Sequence, residues 1–229
     1  MGLKEELEES VADIFREQWT SRDGQVVPED DDLKLSNEAV KLDAVVLYAD
    51  MSASTQLVDG HKPHFAAEVY KSYLYCAARV IRNEGGTITA YDGDRIMAVF
   101  VGDLKNTTAA KTALKLNYVR IKVINPAIKA QYPESTYELK HVVGIDASNL
   151  FVARTGIRGT NDLVWVGPAA NYAAKLCTLS SDYPTRITKK VYDKLTNEAK
   201  CTKDGTNMWQ SANWTDTGEI YRSTYMWDI

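Results

Sequence analysis

The dipeptide Asp92-Gly93, set between TITAY and RIMAVF, constrains this chain more than any other feature. Asp-Gly between two runs rich in β-branched and apolar residues is the strongest short-range signal for a tight antiparallel hairpin. A lone hairpin is only marginally stable in water, so neighbouring segments must extend its sheet and cover it. AVVLYAD, residues 44–50, is a short apolar run closing in an acid, which predicts a buried central strand. Pro63 opens a helix that continues to about Asn83 and stops at Gly85-Gly86. A second helix is expected over residues 105–130, then strands near 139–147 and 150–154, a glycine-punctuated loop and the strand LVWV. After Gly167-Pro168 a helix should reach about Leu179, followed by a short strand, a helix and an aromatic C-terminal hairpin.

Strand, helix, hairpin, helix, strand is the order of an α+β fold with a ferredoxin-like βαββαβ layer, here with C-terminal additions. Ahead of it, Leu3, Leu7, Val11, Ile14, Phe15 and Trp19 recur every three or four residues, making one apolar face of an N-terminal helix that needs a partner. The following stretch, SRDGQVVPEDDDLKLSNEAVK, is a polar connector with an acidic cluster from Glu29 to Asp32. The expected organisation is a helix and acidic connector over residues 1–41 and one domain over 42–229.

A net charge of −4 and the lack of a basic stripe argue against nucleic acid as a partner. No apolar run approaches the roughly 20 residues that span a bilayer, so no membrane partner is expected. The start MGLKEELEES lacks the basic and apolar regions of a secretory signal, and Glu6 stands where a myristoylation signal wants Ser or Thr. Cys76, Cys177 and Cys201 are few, odd in number and widely spaced, as expected of reduced thiols in the cytoplasm. His61, His64 and His141 never sit at zinc spacing with a cysteine.

The chemistry must therefore come from carboxylates. Asp50 ends the first buried strand and Asp94 is expected to begin the second hairpin strand, so pairing those strands brings both acids to one edge. Two buried like charges are costly unless a cation lies between them. Hard oxygen donors with few other ligands suit Mg²⁺ or Mn²⁺, which take their remaining ligands from phosphates and water. Ser52, Ala53, Ser54 and Thr55 are small residues ahead of a helical stretch, where main-chain N–H groups can approach an anion. Together these features predict a nucleotide and metal site.

These segments resemble the class III adenylate and guanylate cyclases. YADMSAST is similar to the family's first metal motif, FADIxGFT, and GGTITAYDGDRIMAVF to its GGxxxKxxGDxxxAxF hairpin. VVGIDASNLFVARTGIRGTNDLVWVGPAANYAAKL resembles the dimer arm and the VGxxVNxAARL helix, and the three matches cover residues 42–180 in register. The resemblance implies that Asp50, Asp94 and the Met51 carbonyl bind two divalent ions. It places Asn171 on the ribose, Lys175 where the family has a transition-state arginine, and Arg158 on the terminal phosphates. It also implies a head-to-tail homodimer in which each site takes its metals from one protomer and its asparagine and cation from the other.

The departures concern the base. Purine cyclases carry a hairpin lysine and an aspartate or threonine before the VN helix, and here those positions are Ala90 and Val164, neither able to make a directional hydrogen bond. In this respect the chain looks most like the bacterial pyrimidine cyclases of Pycsar anti-phage systems, whose cyclic UMP or cyclic CMP activates an effector. That resemblance implies UTP as the favoured substrate, CTP next, with Tyr48 or Tyr91 covering the small base. A purine cyclase with a relaxed pocket and a non-catalytic nucleotide-binding dimer stay open at this point; base preference and pyrophosphate release separate the three.

Overall fold

The computed structural model describes residues 2–229. Its elements run α1 (Leu3–Arg16), β1 (Thr20–Gly24), a 3-10 turn (Asp30–Asp32), β2 (Glu38–Met51), α2 (Ser54–Gly60), α3 (Pro63–Asn83), β3 (Thr87–Asp92), β4 (Arg95–Phe100) and α4 (Lys105–Val119). After a π-turn (Arg120–Ile124) come α5 (Asn125–Gln131), β5 (His141–Ile157), β6 (Thr160–Val166), α6 (Pro168–Leu176), β7 (Thr185–Thr188), α7 (Lys189–Asp193), α8 (Asn197–Lys200), β8 (Gln210–Trp214) and β9 (Gly218–Ser223). The chain divides into two units: the segment ending at Asp43 together with Asn149–Gly167, and Ala44–Ser148 together with Pro168–Ile229.

The larger unit carries strands in the order β3-β4-β2-β5-β7-β9-β8. The first four, with α3 between β2 and β3 and α4 between β4 and β5, reproduce the ferredoxin-like order expected from the sequence. Strand β2 pairs antiparallel with β4 from Val45↔Phe100 to Asp50↔Arg95. Two-residue alternation then turns Val45, Leu47 and Ala49, with Ile96, Ala98 and Phe100, to one buried face. Helix α3 covers that face with Phe65, Val69, Tyr73, Ala77 and Ile81, spaced one turn apart. Burying each large apolar side chain contributes about 1.5–3 kcal/mol, so this layer is a major part of the unit's core. The C-terminal additions are β7, parallel to β5, and the β8–β9 hairpin antiparallel to β7.

Outside the β3–β4 hairpin, three further boundaries differ from the sequence reading. The helix expected over 105–130 breaks into α4 and α5, with Asn125 N–H bonding Arg120 O across a wider turn. Pro126 explains this: it has no N–H to give and its ring would clash with the carbonyl four residues back. The strands expected at 139–147 and 150–154 are one strand, because β6 takes up pairing at Phe151↔Val166 and keeps the backbone extended through Ser148-Asn149. Helix α6 ends at Leu176 rather than Leu179, its last turn tightened by bonds such as Thr178 N–H to Lys175 O at 3.1 Å.

In the smaller unit β1 runs parallel to the start of β2, from Thr20↔Glu38 to Gly24↔Leu42, and β5 and β6 form a hairpin closing at Ile157↔Thr160. Asn37 caps the connection after α1 by donating to Ile14 O and Glu17 O, each at 2.7 Å. Trp19 packs edge-on against Phe151 at 5.1 Å. Helix α1 buries no residue, and its apolar face, including Phe15 at 86% exposure, is open to solvent among the described residues. No helix is long and apolar enough to cross a membrane, and Cys76, Cys177 and Cys201 are free thiols.

Candidate active site

The hairpin turns one residue later than its sequence suggests. Strand β3 continues through Asp92, which pairs with Arg95, so the two turn residues are Gly93 and Asp94. Gly93 has φ 60° and Asp94 does not share a positive φ, the pattern of a type II′ turn with glycine first. Asp94 thus stands in the turn rather than at the start of β4. Its position next to Arg95, the cross-strand partner of Asp50, still puts both aspartates at one sheet edge.

Their environment combines burial with neighbouring negative charge. Burial pushes the Asp50 carboxyl up, the Arg95 guanidinium pulls it back, and the Asp94 charge raises it again. Arg95 Nη2 lies 3.1 Å from Asp50 Oδ2, and its guanidinium stands 5.8 Å from the centre of the Tyr48 ring. Asp94 Oδ2 is buried without a hydrogen-bond partner. A buried carboxylate oxygen with a free lone pair beside a second acid is what a divalent ion bound through oxygen needs. No group of three or more His, Cys, Asp or Glu side chains able to hold a metal occurs among the described residues, so substrate oxygens and water would complete the shell. The residues present fit Mg²⁺ or Mn²⁺ bound with a triphosphate.

Beyond Met51, which is buried, the chain makes a strained turn. Ala53 sits at φ 60°, ψ 33°, the left-handed conformation that costs a side chain about 1–2 kcal/mol. It stands where FADIxGFT has glycine, so the geometry persists without the residue that adopts it freely. Ser52 N–H bonds Lys140 O at 2.9 Å and fixes the turn. A cavity of about 410 Å³ opens beside it, lined by Ser52, Ala53, Gln56, His61, Tyr137 and Lys140. Ser54 and Thr55 open α2. The Tyr137 hydroxyl is buried and unpartnered, and burial, Tyr70 and Asp94 push it up to about 12.

The base-facing candidates separate by register. Tyr48 and Ala90 both pair with Met97, so all three share the face that carries Asp50. Tyr91 pairs with Ile96 on the opposite face and is 57% exposed. A β-bulge between Ile88 and Ala90 sets this register, and the Thr89 hydroxyl at the bulge is buried without a partner.

Asn171 and Lys175 lie one turn apart on the exposed side of α6. The helix is seated tightly: a Cβ on Gly144 of β5 would meet the Ala173 carbonyl oxygen at 2.2 Å, so only glycine admits this approach. Ser148 Oγ accepts the Ala169 N–H at 3.1 Å, and the Cys177 thiol donates to Tyr48 O at 3.4 Å. Lys175 Nζ pairs with Asp216 Oδ2 at 2.8 Å, and Tyr172 meets Trp214 edge-on at 5.9 Å. Arg158 and Val164 belong to the smaller unit. Arg158 lies exposed at the β5–β6 turn, and Val164 pairs with Ala153 and is 38% exposed.

Sequence reasoning missed Arg95, Tyr137 and Asp216. Arg95 carried a signal, since a basic residue directly follows Asp94 at the head of an apolar strand. Tyr137 and Asp216 lie far from the motifs and become visible only through packing.

No protein-family model matches the chain. A uridylate cyclase of Xanthomonas perforans is 52% identical over the full length of both chains, and one of Burkholderia cepacia is 49% identical, again over the full length of both. Among solved structures, the adenylyl cyclase CyaB of P. aeruginosa matches 82% of this chain and 96% of its own with a TM-score of 0.68 at 18% identity. That likeness establishes the fold expected from the hairpin and its flanking helices. With half its residues identical to theirs from end to end, the chain belongs to the uridylate cyclase family.

Proposed function

We propose that this protein is a homodimeric uridylate cyclase that converts UTP to cyclic UMP and pyrophosphate in the cytoplasm, as the signal-producing half of an anti-phage system with a cyclic-nucleotide-responsive effector. The observation that carries the catalytic reading is the unpaired, buried Asp94 Oδ2 beside Asp50 in a chain of this family. In the reaction the ribose 3′ hydroxyl gives up its proton to water, its oxygen bonds to the α-phosphorus, and the bond from that phosphorus to the β-phosphate bridging oxygen breaks. Pyrophosphate leaves with the electron pair.

Asp50, Asp94 and the Met51 carbonyl would hold two divalent ions, Mn²⁺ or Mg²⁺, which when bound supply acidification of the 3′ hydroxyl and a clamp on phosphate oxygens. Every other part belongs to side chains. Asn171 of one protomer orients the ribose of a nucleotide held by its partner, Lys175 faces the charge that grows on the α-phosphate, and Arg158 takes the leaving pyrophosphate. The Ser52–Thr55 turn lies along the phosphates. Tyr48 covers the uracil from the face it shares with Ala90 and Met97. Ala90 and Val164 give a purine edge no partner, and a polar edge buried without one is penalised strongly.

The test is a competition in which purified protein receives ATP, GTP, CTP and UTP at equal concentration with Mn²⁺ and the cyclic products are identified by mass. Cyclic UMP should dominate, with cyclic CMP second; cyclic AMP or cyclic GMP as the main product would overturn the pyrimidine reading, and cyclic CMP in first place would overturn only the choice of uracil.

A further inference from the structure

Lys175 occupies a place where the cyclases it resembles carry arginine, and the exchange has a physical cost. A guanidinium arrives with a planar fork that fixes its direction, whereas an ammonium on a four-carbon stem has no directional preference of its own. Lys175 is also largely exposed, so nothing in α6 itself restricts its rotamers. Something else must aim it if it is to act on one phosphate oxygen.

The turn between β8 and β9 supplies that constraint. Asp216 Oδ2 accepts from Lys175 Nζ at 2.8 Å, and Asp216 Oδ1 accepts from the Thr215 hydroxyl at 3.3 Å, so both carboxylate oxygens are engaged. The residues are 41 apart in sequence, and the hairpin meets α6 a second time where Trp214 packs edge-on against Tyr172. One side of the helix is therefore held at two points, three residues apart, by one turn. Resting on the reading of Lys175 as the transition-state cation, we propose that Asp216 is a positioning residue that aims the Lys175 ammonium at the developing phosphate charge, doing from outside what the fork of arginine does from within. The same hydrogen bond and charge of Asp216 raise the Lys175 pKa above its usual value, as expected of a direct ion pair.

An exposed ion pair contributes little to stability, so its loss should leave the fold intact while misaiming the lysine. Asp216→Asn should lower kcat for UTP about tenfold, in line with the sensitivity of catalysis to small misplacements, with KM changed less than about twofold. Asp216→Glu should recover most of kcat, and the melting temperature of each variant should stay close to that of the parent. In a Lys175→Ala background Asp216→Asn should have no further effect, since the two residues then act as one unit. Unchanged or raised kcat in Asp216→Asn, or the same fractional loss with and without Lys175, would overturn the proposal. A parent protein that makes no cyclic nucleotide would instead fail the reading of the site, so the two failures are distinguishable.

Discussion

Arg95 Nη2 lies 3.1 Å from Asp50 Oδ2, so the carboxylate that ends the central strand already has a cationic partner from the strand beside it. The same cross-strand register brings Asp94 next to that partner, yet Asp94 Oδ2 is buried and pairs with nothing. One acid is thus compensated from within the fold and the other is not.

Asp50→Asn and Asp94→Asn should each lower turnover by at least about a hundredfold, because each removes a charged oxygen that no neighbour replaces. Their folds should survive. Asp94→Asn removes charge from a partly buried carboxylate whose Oδ2 has no partner and should melt at or above the parent temperature, while Asp50→Asn weakens a largely buried pair and should lower melting modestly. Mn²⁺ should raise the melting temperature of the parent and not of the variants. Undiminished cyclic product from either variant would remove the metal assignment.

Mixing Asp50→Ala protein with Asn171→Ala protein should restore activity that neither variant has alone, since a heterodimer of the two contains one site with every part present. Subunit exchange can be followed with differently tagged chains. Continued silence after demonstrated exchange would show that the site is not shared between protomers.

Acid should weaken the fold through His141. Its ring is fully buried, with Nδ1 3.2 Å from the Tyr73 hydroxyl and Nε2 unpartnered, and burial with the nearby Arg120 pushes its pKa down to about 3. An unfolded histidine titrates near 6.5, so between these values the unfolded chain binds more protons than the folded one. The contribution is fully present above about pH 6.5 and is lost as pH falls toward about 3. Urea midpoints measured across that range should fall more steeply for the parent than for His141→Phe; equal slopes would exclude the histidine as the cause.

Ala53→Gly should stabilise the protein by up to about 1 kcal/mol, since glycine adopts the left-handed turn without the clash that a Cβ meets there. Ala53→Val should do the opposite and more strongly. Chemical denaturation of both variants decides it, and a destabilised glycine variant would mean that the turn does not carry this strain.

What the sequence revealed and what it hid divide along the range of the interactions. The Asp-Gly hairpin, the Pro63 start of α3 and the acid closing AVVLYAD are local signals, and each led to the right element or edge. The turn moved by one residue because glycine can serve either central position of a tight hairpin, and only pairing with β2 selects between them. Arg95 as the partner of Asp50 depends on that same register. Asp216 and Tyr137 reach the site by packing over tens of residues, and the opposite orientation of Tyr48 and Tyr91 follows from a bulge at Thr89 that no residue type announces.

The Cys177 thiol, buried just past the end of α6 against the carbonyl of Tyr48, is pushed up to about 12 chiefly by burial. Alkylating reagents attack the thiolate, so this sulfur is silent as long as the helix bearing Asn171 and Lys175 stays seated. Cys76 and Cys201 are only partly covered and would be consumed first. The chain therefore carries its own clock: the rate at which a third equivalent of reagent is taken up reports how often α6 lifts from the sheet.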